Sequence, residues 1–277
     1  MICNDCPRKC GVDRSKTVGR CGGGEKATVA KTVDPFEYEE PCLGKLTAVF
    51  FGGCSLGCSY CQNIDISRGG GKVYDAGELA ALFDGASGAL DLVTPTHYIG
   101  AIERALFLCK KEHSIIYNTS GYETTDAVKR AREFTGVFLT DLKYADEETG
   151  ARYSRAPDYF EYASAAIKEM RKTRDVRREV NSAPILERGL IVRHLVLPGH
   201  VDNSLRVLDW IAAELGTDTV ISLMSQFTPN GVGEPSRKIS KLEYRIVTEH
   251  ALKLGFTNGY FQDMRSASAA YIPNFRG

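Results

Sequence analysis

Cys54, Cys58 and Cys61 stand at the spacing C-x3-C-x2-C, within Gly52-Gly53-Cys54-Ser55-Leu56-Gly57-Cys58-Ser59-Tyr60-Cys61-Gln62-Asn63. Three thiolates on one tight loop suit a 4Fe-4S cube, which takes one thiolate per iron and would keep one iron open to bind something other than protein. A structural zinc ion is the alternative. Closed zinc sites use four ligands, so Cys42 or Cys109 would have to supply the fourth. Gly52, Gly53 and Gly57 let the backbone approach a cluster closely. Gln62 and Asn63 close the loop and can donate N–H groups to cluster sulfurs, which tunes the potential.

A second set of cysteines opens the chain: Cys3, Cys6, Cys10 and Cys21 offer four thiolates in a glycine-rich stretch. Four such ligands make a closed tetrahedral set for structural zinc, and the same ligands serve a second iron–sulfur cluster. So short a segment cannot fold on a core of its own, so metal binding would order it. Disulfides come third, because the first residues do not read as a secretion signal and the expected compartment is the reducing cytoplasm. Lys+Arg and Asp+Glu are equal at 35 each, a zero formal net charge that points to no nucleic-acid or anionic-membrane partner. No apolar run approaches the ~18 residues of a membrane span. The mixed charges of residues 168–179 read as a solvated helix end and loop, with a docking surface as the alternative.

These cysteines need a frame. After residue 45, short β-rich runs at 46–51, 90–94, 114–118, 137–141, 190–197 and 219–224 alternate with amphipathic helical patterns, which predicts βα units around a parallel sheet. Helix caps are expected at Thr125 or Asp126, Asp158, Asn203 or Ser204, and Ser240. Such units close into a full or partial (β/α)6 TIM-like barrel whose site lies at the carboxyl ends of the strands. The cysteine loop and the segments beginning at Thr94, Asn118, Asp141 and Pro198 each follow a predicted strand. The expected organisation is an N-terminal Cys-rich extension over 1–45 and the α/β unit over 46–277.

C-x3-C-x2-C with an aromatic, here Tyr60, before the third cysteine resembles the signature of the radical SAM superfamily. The resemblance narrows with Val93-Thr94-Pro95-Thr96-His97, Tyr117-Asn118-Thr119-Ser120-Gly121-Tyr122, Asp141-Leu142-Lys143-Tyr144, Arg193-His194-Leu195-Val196-Leu197-Pro198 and the tail from Asn258-Gly259-Tyr260 to Tyr271-Ile272-Pro273. Together they look like the pyruvate formate-lyase-activating-enzyme-like branch, in a form carrying a Cys-rich extension. Membership implies a radical SAM oxidoreductase. Its open iron chelates S-adenosylmethionine (SAM), and reductive cleavage gives a 5′-deoxyadenosyl radical that takes a hydrogen atom from a glycine of a partner glycyl radical enzyme. A peptide or small metabolite is the alternative hydrogen donor, and a non-catalytic zinc protein the alternative class. It further implies an electron donor such as flavodoxin or ferredoxin.

The resemblance also implies roles for single residues. Asp141 and Lys143, two apart and so on one face of a strand, lie beside SAM, and the acid holds a monovalent cation against the SAM carboxylate. Asn118 and Thr119 match an Asp-Thr pair at that cation site; Asn in place of Asp keeps an oxygen ligand and loses a charge. An ion pair sealing the rim is the other reading of Asp141 and Lys143. Thr94, Thr96 and nearby carbonyls would accept N–H bonds from the SAM amine, in place of the Gly-Gly-Glu segment of many relatives. His97 would face the substrate or the adenosyl group, or be structural. His200 matches a histidine that contacts SAM, and Arg193 rather than His194 is expected to face inward.

Overall fold

The computed structural model describes residues 2–229 and 234–264. The tail motif at 271–273 lies outside the described residues. Ten strands form one sheet: β1 (Ala27–Phe36), β2 (Leu46–Phe51), β3 (Lys72–Tyr74), β4 (Ala89–Val93), β5 (Ile115–Thr119), β6 (Val137–Asp141), β7 (Val176–Val180), β8 (Ala183–Leu195), β9 (Val220–Met224) and β10 (Gly259–Phe261). The helices are α1 (Ile64–Ser67), α2 (Ala76–Asp84), α3 (Ile99–Leu108), α4 (Thr125–Arg132), α5 (Glu147–Ser154), α6 (Tyr159–Met170), α7 (Val201–Leu215) and α8 (Lys241–Leu254). None of them is long and apolar enough to cross a membrane.

All six predicted strands are present. β2, β4, β5, β6, β8, β9 and β10 run parallel in that spatial order, as the alternation of β-rich and helical runs requires. β1 pairs antiparallel with β2 and β3 with β1, so the segment expected as a separate extension contributes one strand, β1, to the sheet. The charged run near residue 176 is not a loop. It forms β7, an exposed strand in a hairpin with the first half of β8, where long charged side chains stay in water on both faces.

Alternation along the strands sorts the side chains onto two faces. Phe51, Leu92, Tyr117, Phe138, Val192 and Leu223 point to the side covered by the helices. Ala48, Ile116, Leu139, Ile191 and Val220 point to the other, where Phe36, Cys42 and Leu43 cover them. The link between β1 and β2, with a single 3-10 turn at Pro41–Leu43, therefore lies across the face where, of the helices, only α1 packs, through Ile66.

Helix ends refine the expected caps. Ser240 caps α8 in a capping box with Glu243. Thr124, one residue before the expected pair, caps α4 through Ala127 N–H. Asp158 precedes α6 but gives its carboxylate to the Tyr122 hydroxyl at 2.7 Å. α7 starts at Val201, so Asn203 and Ser204 lie inside it and bond across to Lys143 O and His194 instead.

One side chain fixes the end of β6. The buried Tyr159 hydroxyl accepts from Lys143 N–H at 2.9 Å and donates towards Ser120 O and Asp141 O at 2.8 and 3.0 Å. Tyr159→Phe should lower unfolding stability by about 1–3 kcal/mol, because it strands buried backbone groups. Urea denaturation under anaerobic conditions measures it, and a loss below ~0.5 kcal/mol would contradict this pin.

Candidate functional site

At the carboxyl ends of the parallel strands lies a cavity of about 240 Å³. Phe50, Val93, Asn118 and Asp141 line it from β2, β4, β5 and β6, joined by Arg193 and Leu195 from β8 and Ser222 and Met224 from β9. The cysteine loop forms the opposite wall through Cys58, Tyr60, Cys61, Gln62 and Asn63, while Tyr38, Glu39 and Glu40 rise into it from the link between β1 and β2.

The loop is held from several directions. Cys54 N–H donates to Cys21 O at 3.1 Å, and a Cβ on Gly53 would collide with that same carbonyl, so this position, at φ +94°, requires glycine. Arg8 donates to Ser55 O and Leu56 O in the loop and to Ser154 O and Arg155 O at the end of α5. Gln62 donates to Gln226 O at 2.9 Å, which anchors the loop to the strand end after β9 rather than to a sulfur.

A chain of hydroxyls runs from Tyr60 to Cys58. Ser154 Oγ donates to Cys58 Sγ at 3.1 Å, Tyr144 OH meets Ser154 at 2.8 Å, and Tyr60 OH meets Tyr144 at 2.7 Å. Each hydroxyl has one proton, so Ser154 must accept from Tyr144 and Tyr144 from Tyr60. Ser154 belongs to no motif in the sequence, and Tyr144 stands in one without a role assigned to it.

The three thiols fit a metal cluster. Burial pushes the Cys58 thiol up while the Lys143 charge opposes it, and Cys61 is pushed up to about 12 by burial and by the charges of Cys58 and Cys54. Such neighbours ionise together only when a cationic centre neutralises them. A single tetrahedral zinc with Zn–S near 2.3 Å would bring sulfurs to within ~4 Å of one another. These three do not converge within 4.8 Å; among the described residues only Asp84, Cys109 and His113 do. Cys42 is packed under the sheet and Cys109 stands by Asp84, so neither completes a zinc site on the loop.

On the floor, burial would raise the Asp141 carboxyl, yet the Lys143 and Arg193 charges outweigh it and hold it below the usual range. Lys143 Nζ lies 2.5 Å from Asp141 Oδ2, and Arg193 Nε donates to Asp141 Oδ1 at 2.9 Å. Arg193 faces the cavity as expected; His194 faces the helices. Glu39, which sequence reading missed, accepts from Asn118 Nδ2 at 3.1 Å and Arg193 Nη1 at 2.8 Å, and burial pushes it up to about 7.

Five expected site residues lie elsewhere. Thr119 follows Asn118 in β5 and so points to the helix side, where it and Thr96 both donate to the buried Glu123. Burial pushes Glu123 up to about 7. Thr94 N–H bonds Asn118 O across the strand ends at 2.8 Å, but Thr94 does not line the cavity. His97 sits in a 3-10 turn, where its Nε2 meets Gly52 O at 2.9 Å and its ring packs on Tyr98, behind the loop rather than in front of it. His200 precedes α7 and pairs with the Tyr153 hydroxyl at 2.8 Å, outside the cavity lining.

The N-terminal cysteines form a compact knuckle. Cys3, Cys6 and Cys21 are buried and Cys10 is partly so. Burial pushes Cys6 up to about 12, helped by Cys21 and Cys3. Arg14 brings a positive charge to the group, with Nη2 3.6 Å from Cys21 Sγ and Nη1 bonded to His97 O. Four neighbouring thiols beside a partly buried guanidinium have the donor chemistry of a metal site, although as placed they do not converge within 4.8 Å.

No family model matches the chain. It is 27% identical over 267 residues to an uncharacterized protein of Methanocaldococcus jannaschii, an alignment that covers 91% of this chain and 73% of that one. It is 32% identical over 121 residues to the pyruvate formate-lyase-activating enzyme of Clostridium pasteurianum, covering 38% of this chain and 48% of that one. Among solved structures, methylornithine synthase superposes with a TM-score of 0.45 at 13% identity, over 75% of this chain and 68% of that one.

His194 provides a pH test of the frame behind the site. Its ring is fully buried between Leu142 O at 2.6 Å and Ser204 Oγ at 2.9 Å, and burial pushes it down to about 4. Between that value and the ~6.5 of an unfolded histidine, only the unfolded chain binds the proton, so this residue makes stability rise with pH across that window and level off above it. His194→Gln should reduce the slope there by up to ~1.4 kcal/mol per pH unit, as read from urea denaturation at a series of pH values. An unchanged slope would overturn the assignment.

Proposed function

We propose that this chain is a radical SAM enzyme whose parallel strands form the wall of a partial (β/α)6 barrel. The observation that carries the reading is the placement of Cys58 and Cys61 on the same cavity as Asn118, Asp141, Lys143 and Arg193, with Cys54 on the same loop behind them. Cys54, Cys58 and Cys61 would hold a 4Fe-4S cluster, which with SAM supplies a 5′-deoxyadenosyl radical able to abstract a hydrogen atom.

This chain's own residues do the rest. Lys143 and Arg193 offer N–H donors on the floor to an anionic group of the bound cofactor, while Asp141 fixes both cations in place. Ser154 donates to Cys58 Sγ, and such a bond to a ligand sulfur raises a cluster's potential. The loop and Phe50, Val93 and Leu195 on the facing wall keep apolar surface around the reacting centre. The hydrogen donor is read as a glycine of a partner glycyl radical enzyme, a choice supported by the partial likeness to a pyruvate formate-lyase-activating enzyme. Glu39 and Glu40 on the floor favour, as a second reading, a small substrate carrying a positive charge.

Reconstituted without oxygen and reduced in the presence of SAM, the protein should form 5′-deoxyadenosine. No product from intact protein, or equal product from the Cys54/Cys58/Cys61→Ala variant, would refute the reading. Mixing with a candidate glycyl radical enzyme separates the two donors, since only the first predicts a glycine-centred radical signal.

The knuckle is proposed to hold zinc or a second cluster. The Cys3/Cys6/Cys10/Cys21→Ala variant should lose one zinc, or the iron of one cluster, while keeping the metal of the loop. Unchanged zinc and iron would end that proposal.

A further inference from the structure

The cavity floor carries more acid than base. Glu39, Glu40 and Asp141 line it and Asp91 lies one layer beneath, against Arg193 and Lys143. Glu40 Oε2 and Asp91 Oδ1 are buried with no hydrogen-bond partner. A basin of this kind attracts a cation, and the resemblance placed a monovalent one at Asn118, Thr119 and Asp141.

The residues present do not fit that ion. Thr119 faces the helices and bonds Glu123. The two remaining oxygens are taken: Asp141 Oδ1 accepts from Arg193 Nε at 2.9 Å and Asn118 Oδ1 from Arg193 Nη2 at 2.7 Å, while Nη1 reaches Glu39 at 2.8 Å. Each guanidinium nitrogen thus bonds a different partner, in the fork geometry to which Arg is suited. Asn118 is explained by the same arrangement. Its amide nitrogen donates to Glu39 and Asp91 at 3.1 and 3.3 Å, which an aspartate could not do.

We propose that the Arg193 guanidinium is the built-in cation of this pocket, standing where a free monovalent ion would otherwise be needed and turning its remaining N–H groups towards the carboxylate of the bound cofactor. Of five N–H groups three bond described residues, and Nη1 and Nη2 keep one each. Lys143 bonds the other oxygen of Asp141, whereas Arg193 bonds Asp141, Asn118 and Glu39 together. Arg193 acts here as a cofactor-positioning residue, and the proposal rests on the reading of the chain as a SAM-binding enzyme.

The test is SAM affinity of the reconstituted protein, followed by the change in the electron paramagnetic resonance spectrum of the reduced cluster. With sodium and potassium replaced by tetramethylammonium, the intact protein should keep its affinity within about twofold, because no ion binding is linked to it. Arg193→Ala should bind SAM about 30-fold or more weakly, and added guanidinium ion should restore much of the loss where tetramethylammonium does not. Arg193→Lys should fall between the two. A wild-type affinity that drops about tenfold without small cations, or a folded Arg193→Ala variant that guanidinium leaves unchanged, would overturn the proposal. The wild-type ion series decides the matter even if the alanine variant fails to fold. SAM binding in no buffer at all would instead remove the reading on which the proposal stands.

Discussion

A guanidinium drawn out of water must be ringed by acceptors, since an uncompensated buried charge destabilises a fold by several kcal/mol. In this protein the ring is assembled from β5, β6 and the link after β1, around an arginine on β8. None of these elements can shift without breaking a charge-assisted bond to another. The floor of the cavity is therefore set by electrostatics, while the apolar layer of Ile116, Leu139 and Ile191 beneath it is set by packing.

The facing wall obeys a different rule. The cysteine loop buries Leu56 and Tyr60 in the core, and the rest of its shape comes from backbone bonds to Arg8 and to the Cys21 carbonyl, from Gln62 on Gln226, and from the hydroxyls behind Cys58. These contacts hold the loop in one arrangement, the kind of fixed geometry on which a demanding reaction depends. A floor of paired charges and a thiol-bearing wall then share one small volume.

Much of this frame could be read from the residues. β2 and β6 fall where the periodicity put them, the Asp141, Lys143 and Arg193 side chains share the cavity as period-two alternation requires, and Ser240 caps its helix. What could not be read lies where local pattern carries no direction. Glu39 belongs to an irregular link with no repeat to show which way it points. His97 was placed by analogy with a strand end, but the 3-10 turn at Thr96–Tyr98 rotates it behind the loop. Thr119 was grouped with Asn118 by motif, against the rule that neighbours on a strand face opposite ways. Glu123 and Ser154 gain their meaning only from partners distant in sequence.

The contact between Gly53 and Cys21 makes one object of two cysteine sets that look separate in the chain. Any lineage that alters the spacing of the first set must also rebuild the turn that presents the second, and a side chain at Gly53 is barred for as long as the knuckle stays. Transplanting the loop onto another scaffold would therefore require carrying the knuckle with it.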